Sequence, residues 1–372
     1  MSARSAEVIV IGAGVVGASV AFELASLGRR VLVADMRHAG GGASQASAGI
    51  LAPWIEGHHS EGLRTLGLRS LALYEEFLER VTHRAGLAVE FRHPGTLEIA
   101  VGDADIERLT DSATTLADLG VASEWLDGPR ARVIEPTLTT HAVGALRIPS
   151  HAVVNVPAFT IAAVAAARAA GAAFSEGLAV TGLDAGGDGV IVRSTQGDLT
   201  APHVVLATGS WSSALAPDGA LPAPVRPVRG QLLHLKTPPG TLRHVVWGAH
   251  VYLVPWSDGT IYVGATSEEV GFDERTTVEG VSSLLAATAS LTPGLAKATF
   301  VEARAGLRPG TDDTLPFIGP STALPGLVYA CGHFRNGALL APLTAALVAQ
   351  AVQGDLSDPA FSLVNPSRAG RL

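Results

Sequence analysis

The chain is almost without cysteine. Cys331 is the only one in 372 residues, which excludes an intrachain disulfide framework and any multi-cysteine metal site. That usage suits a reducing compartment. Charge is sparse as well: charged residues make up 16% of the chain, and the net charge is −8. That balance and the lack of a basic run argue against a nucleic-acid surface, and the expected partners are small molecules. Long apolar runs are missing too. The longest late one, Gly337 to Val352, is too short to span a bilayer and contains Pro342. Arg4 ahead of an apolar run imitates a signal peptide, but Glu7 interrupts it. There is no internal repeat and no low-complexity tail. The histidines, His58 and His59 included, show no H-x-x-x-H metal spacing, so they read as structural or exposed. These absences describe a soluble cytoplasmic protein with no membrane partner.

What is present is core material. Hydrophobic residues make up 47% of the sequence, and the length corresponds to about two domains. The N-terminal stretch EVIVIGAGVVGASVAFELASLGRRVLVAD carries G-x-G-x-x-G at Gly12, Gly14 and Gly17, with Asp35 at the end of the next strand. In this setting each residue has a task. Gly12 permits the tight turn off the strand Val8 to Ile11, and Gly14 lets the backbone approach a pyrophosphate. Gly17 allows the helix to pack on the sheet, and Asp35 suits a free ribose diol. The helix, expected to be amphipathic with Gly28 past its end, would offer its free N–H groups and positive dipole end to the phosphates. The spacing therefore predicts a dinucleotide site, and Asp35 disfavours a phosphorylated ribose.

Further along, a glycine-rich turn (38–53) precedes a helix expected from Gly62 to Arg84. From Gly86 to His151 the texture changes to short strands and helices. An alanine-rich helix is expected to begin near Pro157, since proline suits a first helical turn. Strands follow at 179–183 and 190–194, HVVLATGSWS (203–212) reads as a buried strand ending in a Gly-containing turn, and alternating strands come in RGQLLHLKT, HVYLVPW and GTIYVGAT. A last strand, GLVYACG, leads into a helix from Gly337. The predicted fold is α/β. A Rossmann-like nucleotide domain is assembled from 1–85, 150–215 and 303–372, and a β-rich (α+β) domain is inserted as 86–149 and 216–302.

The motif alone does not choose between NAD and FAD. Two features favour FAD. GASQASAGI offers many close backbone N–H groups to an extended ligand. The strand–HFRNG–helix unit aims a second helix N-terminus at a bound group, as a flavin that gains negative charge on reduction requires.

GAGVVG with Asp35, GASQASAGILAP, VVLATGSW, AGLRPGTDDTLPFIGP and GHFRNGALLAPLTA occur in the order found in the D-amino-acid oxidase superfamily. Over nearly its whole length the chain resembles that superfamily, most closely its glycine oxidases, which feed thiazole synthesis for thiamine. The resemblance implies non-covalent FAD in the first domain and a small amino acid bound against the second. It puts the pyrophosphate near Val15 and Val16 and the adenosine ribose at Asp35 and Met36. The cofactor would run along Ala43 and Ser44, with Ala48, Gly49 and Ile50 at the flavin and Val180 at the adenine. His333, Phe334, Arg335, Asn336, Gly337, Ala338 and Leu339 would cradle the pyrimidine edge. Relatives with covalent flavin use a cysteine in the stretch that here reads LRPGTDDTLPF, which has none.

By the same resemblance Arg308 is the substrate-carboxylate arginine, a role that suits the planar guanidinium fork. Tyr252 would support that carboxylate, with His250 beside it on one face of a strand. Arg335 would lie near flavin and substrate, its carbonyl free to accept from the amine. Each position also has a structural alternative: a surface arginine, a packed strand aromatic, a hydrogen-bonded histidine, a loop cation. Trp54 either lines the pocket or packs. Ile50 stands where related pockets carry a more flexible methionine, which leaves the substrate open among glycine, sarcosine and small D-amino acids. The implied reaction is hydride transfer to flavin N5 with oxygen as acceptor, giving glyoxylate, ammonia and hydrogen peroxide. A quinone acceptor is the variant, and a hand-off to thiazole synthase and a homotetramer are implied with it. The alternatives are a D-amino-acid or sarcosine oxidase or dehydrogenase, and a non-catalytic flavin-binding assembly factor.

Overall fold

The computed structural model describes residues 6–57 and 60–372; Arg4, His58 and His59 lie outside them. The chain folds around two large sheets. The first has six strands in the order Phe317–Pro320, Leu327–Cys331, His203–Leu206, Val8–Ile11, Val31–Asp35 and Ala173–Glu176. All neighbours are parallel except the edge strand Phe317–Pro320, which runs antiparallel to Leu327–Cys331.

Both faces of this sheet are covered, so its inner strands, Val8–Ile11, Val31–Asp35 and Leu327–Cys331 above all, are largely apolar, while the edge strand Ala173–Glu176 is only partly buried. Val8 and Val10 point into a core shared with the helices Val15–Ser26, Val156–Ala169 and Gly337–Val352. Ile9 and Ile11 point the other way, into a core shared with the antiparallel meander Val180–Gly186, Gly189–Ser194 and Leu199–Ala201.

The expected amphipathic helix after the motif is Val15–Ser26, and it is buried on nearly every side, with Val15, Val20, Phe22 and Leu24 all inside. It lies between the sheet and the two other helices, so it needs no polar face. The expected helix from Gly62 to Arg84 is two helices, Glu61–Ala72 and Tyr74–Ala85, joined at Leu73. The alanine-rich helix starts at Val156 with Pro157 in its first turn and the Asn155 side chain capping Ala158 N at 3.0 Å.

The second sheet has eight strands: Thr299–Gly310, Arg226–Lys236, Thr260–Gly264, Tyr252–Pro255, Val245–Trp247, Thr96–Ala100, Gly144–Ile148 and Glu124–Asp127. One face packs on the helix Val278–Leu291 through Leu233, Leu253, Val263 and Leu284. Thr299–Gly310 crosses the expected boundary between 302 and 303, and it pairs with Arg226–Lys236 along its whole length. A small sheet of Ile50–Leu51, Ala152–Val154 and Phe91–Arg92 stands between the two large ones. Among the described residues no helix is long and apolar enough to cross a membrane, and no cluster of His, Cys, Asp or Glu could hold a metal ion.

Candidate active site

A cavity of about 740 Å³ runs from the carboxyl ends of the parallel strands to the face of the eight-stranded sheet. Ligands of open α/β sheets bind at such strand ends.

At the nucleotide end, Gly12 has φ +103°, and a Cβ there would lie 2.4 Å from the Ala207 carbonyl oxygen. A Cβ on Gly17 would lie 2.0 Å from the Gly12 carbonyl oxygen. Neither position admits a side chain. Gly14 caps the helix Val15–Ser26 without a side-chain bond, and Ser44 Oγ accepts from Val15 N at 2.9 Å. Asp35 is held by two backbone donors: Ala13 N at 2.7 Å to Oδ2 and Arg37 N at 2.8 Å to Oδ1. Arg37 also borders the cavity. Its guanidinium donates to Glu274 at 3.0 and 2.6 Å and lies 4.7 Å from the Trp211 ring, which packs on Phe272 at 5.7 Å.

The middle is narrow and built of small residues. Gly306 faces Ala43 and Ala46, and Arg304 Nη1 donates to the Gln45 carbonyl at 3.0 Å. Gly49 has φ +75°, and a Cβ there would lie 1.9 Å from the Val154 carbonyl oxygen.

At the far end, Arg308, Tyr252, Glu56 and Arg335 all border the cavity. Arg308 Nη1 donates to the Thr266 carbonyl at 3.0 Å and the Arg229 carbonyl at 3.4 Å. Burial pulls Arg308 below the usual guanidinium range, yet a guanidinium stays charged at physiological pH. Tyr252 pairs across the hairpin with Trp247, ring centroids 5.1 Å apart. Burial pushes its phenol up. Burial also raises the Glu56 carboxyl, while Arg335 and Arg308 pull it down.

Behind these residues the turn before the helix Gly337–Val352 is sharp: Phe334 has φ +48°, and its N–H donates to the Pro309 carbonyl at 2.9 Å. That helix has no side-chain N-cap, and Gly337 and Ala338 of its first turn border the cavity. Its positive end is thus open to a ligand.

Of the residues singled out in the sequence, Gly17, Asn336 and Leu339 do not border the cavity. Gly17 serves helix packing, Asn336 is the buried backbone cap of the last long helix, and Leu339 packs in the core. His250 borders the cavity but is not in a strand; the strand begins at Tyr252, and His250 sits exposed in the preceding turn. His333 borders it with Nε2 3.0 Å from Thr344 Oγ1, and burial lowers its pKa to about 3, so the ring is neutral. Trp54 borders a separate small pocket with Arg64, Glu98 and Arg108. Cys331 is buried outside the cavity, its thiol pushed up to about 12 by burial.

The sequence reading missed Arg37, Trp247 and Glu56. Arg37 stands two residues after Asp35, and Trp247 five before Tyr252, so proximity could have found both. Nothing in PWIEG shows that Glu56 turns inward.

These groups suit FAD. Glycines would leave room for a pyrophosphate, Asp35 suits a diol, the small-residue neck would admit a flat ring, and an uncapped helix end would oppose the anionic edge of a reduced flavin. The model of the FAD-dependent oxidoreductase family named DAO matches residues 7–351. Glycine oxidase of Geobacillus kaustophilus is 34% identical over 349 residues, covering 93% of each chain. A crystal structure of that species' glycine oxidase superposes with a TM-score of 0.94 at 33% identity over 98% of both chains. The bifunctional protein ThiO/ThiG of Nostoc sp. is 36% identical over 98% of this chain, which spans 55% of that protein. The nucleotide cradle, the fold and these likenesses agree: the chain belongs to the DAO family of FAD-dependent oxidoreductases.

Proposed function

We propose that this protein oxidises glycine, and with it small N-methyl or D-amino acids, to the imine. The observation that carries this is the pairing of one guanidinium, Arg308, with the Tyr252 phenol in the cavity that also contains the dinucleotide motif. Arg308 would bind the substrate carboxylate through its fork and fix the α-carbon against the flavin. Tyr252 would donate to the same carboxylate, and the Arg335 carbonyl would accept from the amine. His250, exposed in its turn, would flank the entrance. The free N–H groups of Gly337 and Ala338 would oppose charge on the pyrimidine edge. The chemistry FAD supplies when bound is acceptance of a hydride from the α-carbon and its return to oxygen as hydrogen peroxide. Hydrolysis of the imine then gives glyoxylate and ammonia, with no side chain required as a base if the amine enters neutral.

In this reading the body built from 1–85, 150–215 and the part of 303–372 beyond the strand Thr299–Gly310 holds FAD through those expected residues that border the cavity, and the substrate is held by Tyr252 of the inserted body together with Arg308 and Arg335. The ThiO/ThiG relative supports a hand-off of the imine to a thiazole-forming partner, and light scattering would test the homotetramer.

The test is to add glycine anaerobically to the purified protein and follow the flavin absorbance. Bleaching, with colour and peroxide appearing on admission of oxygen, is expected. Bleaching by D-alanine or sarcosine alone would keep the oxidase and change the substrate. A flavin that no amine reduces would point to a non-catalytic binding factor.

A further inference from the structure

Arg308 sits in a socket made of backbone. Besides the Thr266 and Arg229 carbonyls that accept from Nη1, Gly230 faces the guanidinium, and a Cβ there would lie 2.3 Å from Nη2. Carbonyls orient a guanidinium only as firmly as the backbone that carries them is held. Both the strand through Arg229 and the stretch after Thr260–Gly264 that carries Thr266 are tied to one carboxylate. Glu268 Oε2 accepts from Arg229 Nε at 3.1 Å and from Arg229 Nη2 at 2.5 Å. Its Oε1 accepts from Gln231 Nε2 at 2.9 Å and from the Thr266 hydroxyl at 2.5 Å. That hydroxyl accepts in turn from Gln231 N at 2.8 Å. The Arg229 and Glu268 backbones exchange both of their bonds, at 2.9 and 3.0 Å. Burial works against the charge on Glu268, yet the bonds from Arg229, Thr266 and Gln231 hold its carboxyl below the usual range. Arg229, Gln231, Thr266 and Glu268 do not border the cavity, so none can touch a ligand in it.

We propose that Glu268 is a positioning residue for substrate binding: by fixing the Thr266 and Arg229 carbonyls it aims Arg308, and so sets the affinity for the amino-acid carboxylate. The inference rests on the reading of Arg308 given above. A bidentate carboxylate–guanidinium pair has a narrow angular window, and small misplacements of a binding group are costly.

The experiment uses FAD-loaded Glu268→Gln, Thr266→Val, Arg308→Ala and the double variant Arg308→Ala/Glu268→Gln. Acetate, a carboxylate without an amine, is titrated by its flavin difference spectrum, and KM and kcat are measured for glycine. In Glu268→Gln the acetate Kd and glycine KM are expected to rise about tenfold, with kcat at saturation within about threefold of the parent. Thr266→Val is expected to shift both the same way and less, and it carries the test alone if Glu268→Gln does not accumulate as holoenzyme. The double variant is expected to bind acetate no more weakly than Arg308→Ala, because Glu268 acts only through Arg308. An unchanged acetate Kd in Glu268→Gln and Thr266→Val, or additive losses in the double variant, would overturn the inference while leaving Arg308 in its role. If Arg308→Ala itself binds acetate like the parent, the reading beneath fails with it.

Discussion

Room around individual side chains governs the end of the cavity where Arg308 and Tyr252 stand. Gly230 leaves space for the Arg308 guanidinium, and Gly264 does the same for Tyr252, whose ring a Cβ would meet at 2.6 Å. Gly230→Ala is therefore expected to push Arg308 aside and raise the acetate Kd about tenfold while FAD content stays intact; equal titration curves would sink this. Glu56 is the acid that opposes Arg308 and Arg335 there. With Glu56→Gln the second guanidinium loses its counter-charge, so the ratio of kcat/KM for iminodiacetate to that for glycine should rise about fivefold. An unchanged ratio would show that Glu56 does not screen the substrate. At this scale Arg308 and Tyr252 were named from the family resemblance of their segments, and both stand at the cavity. Glu56 was not, because the short helix Pro53–Glu56 has no pattern that distinguishes inward from outward.

Among the elements, the two uncapped helix ends are the parts proposed to meet FAD, and each depends on the turn that feeds it. Gly17→Ala would place a methyl group against the Gly12 carbonyl and pry the first helix from the sheet. FAD binding should weaken at least tenfold, read by flavin fluorescence on dilution. The second helix carries its own pH dependence. His333 is clamped to Thr344 and stays neutral in the fold, its pKa lowered from 6.5 to about 3 by burial. The unfolded chain binds that proton at a higher pH. Stability is thus lost as pH falls from the ordinary histidine range toward 3, at about 1.4 kcal/mol per unit. His333→Gln should lose less urea resistance than the parent between pH 7 and 5; equal losses would refute the buried neutral ring. The strand–turn–helix at the N-terminus was readable in sequence because glycine spacing and apolar runs are local signals. The break at Leu73 and the burial of Val15–Ser26 on nearly every side were not, since both follow from which elements pack against them.

On the scale of the molecule, segments distant in the chain close the cavity together. The six-stranded sheet draws strands from both ends of the sequence, and such pairing leaves no local trace. The change of texture near Gly86 marked a second body, but not that the strand Thr299–Gly310 would belong to it throughout. The stretch from Thr266 to Glu274 reaches both ends of the cavity. Its first residue steadies Arg308, while Phe272 and Glu274 brace Trp211 and Arg37 beside Asp35. The Arg37–Glu274 pair is one-third exposed, worth little to stability by itself. Glu274→Ala should leave the apoprotein melting point nearly unchanged and raise the FAD Kd about fivefold, lowering the shift in melting point that added FAD produces. Val270 and Phe272 in this stretch are exposed, so what shields it from proteases is its anchorage. Bound flavin would strengthen that anchorage, and a cut here would disable both ends at once. The holoenzyme would then resist cleavage in this stretch longer than the apoprotein.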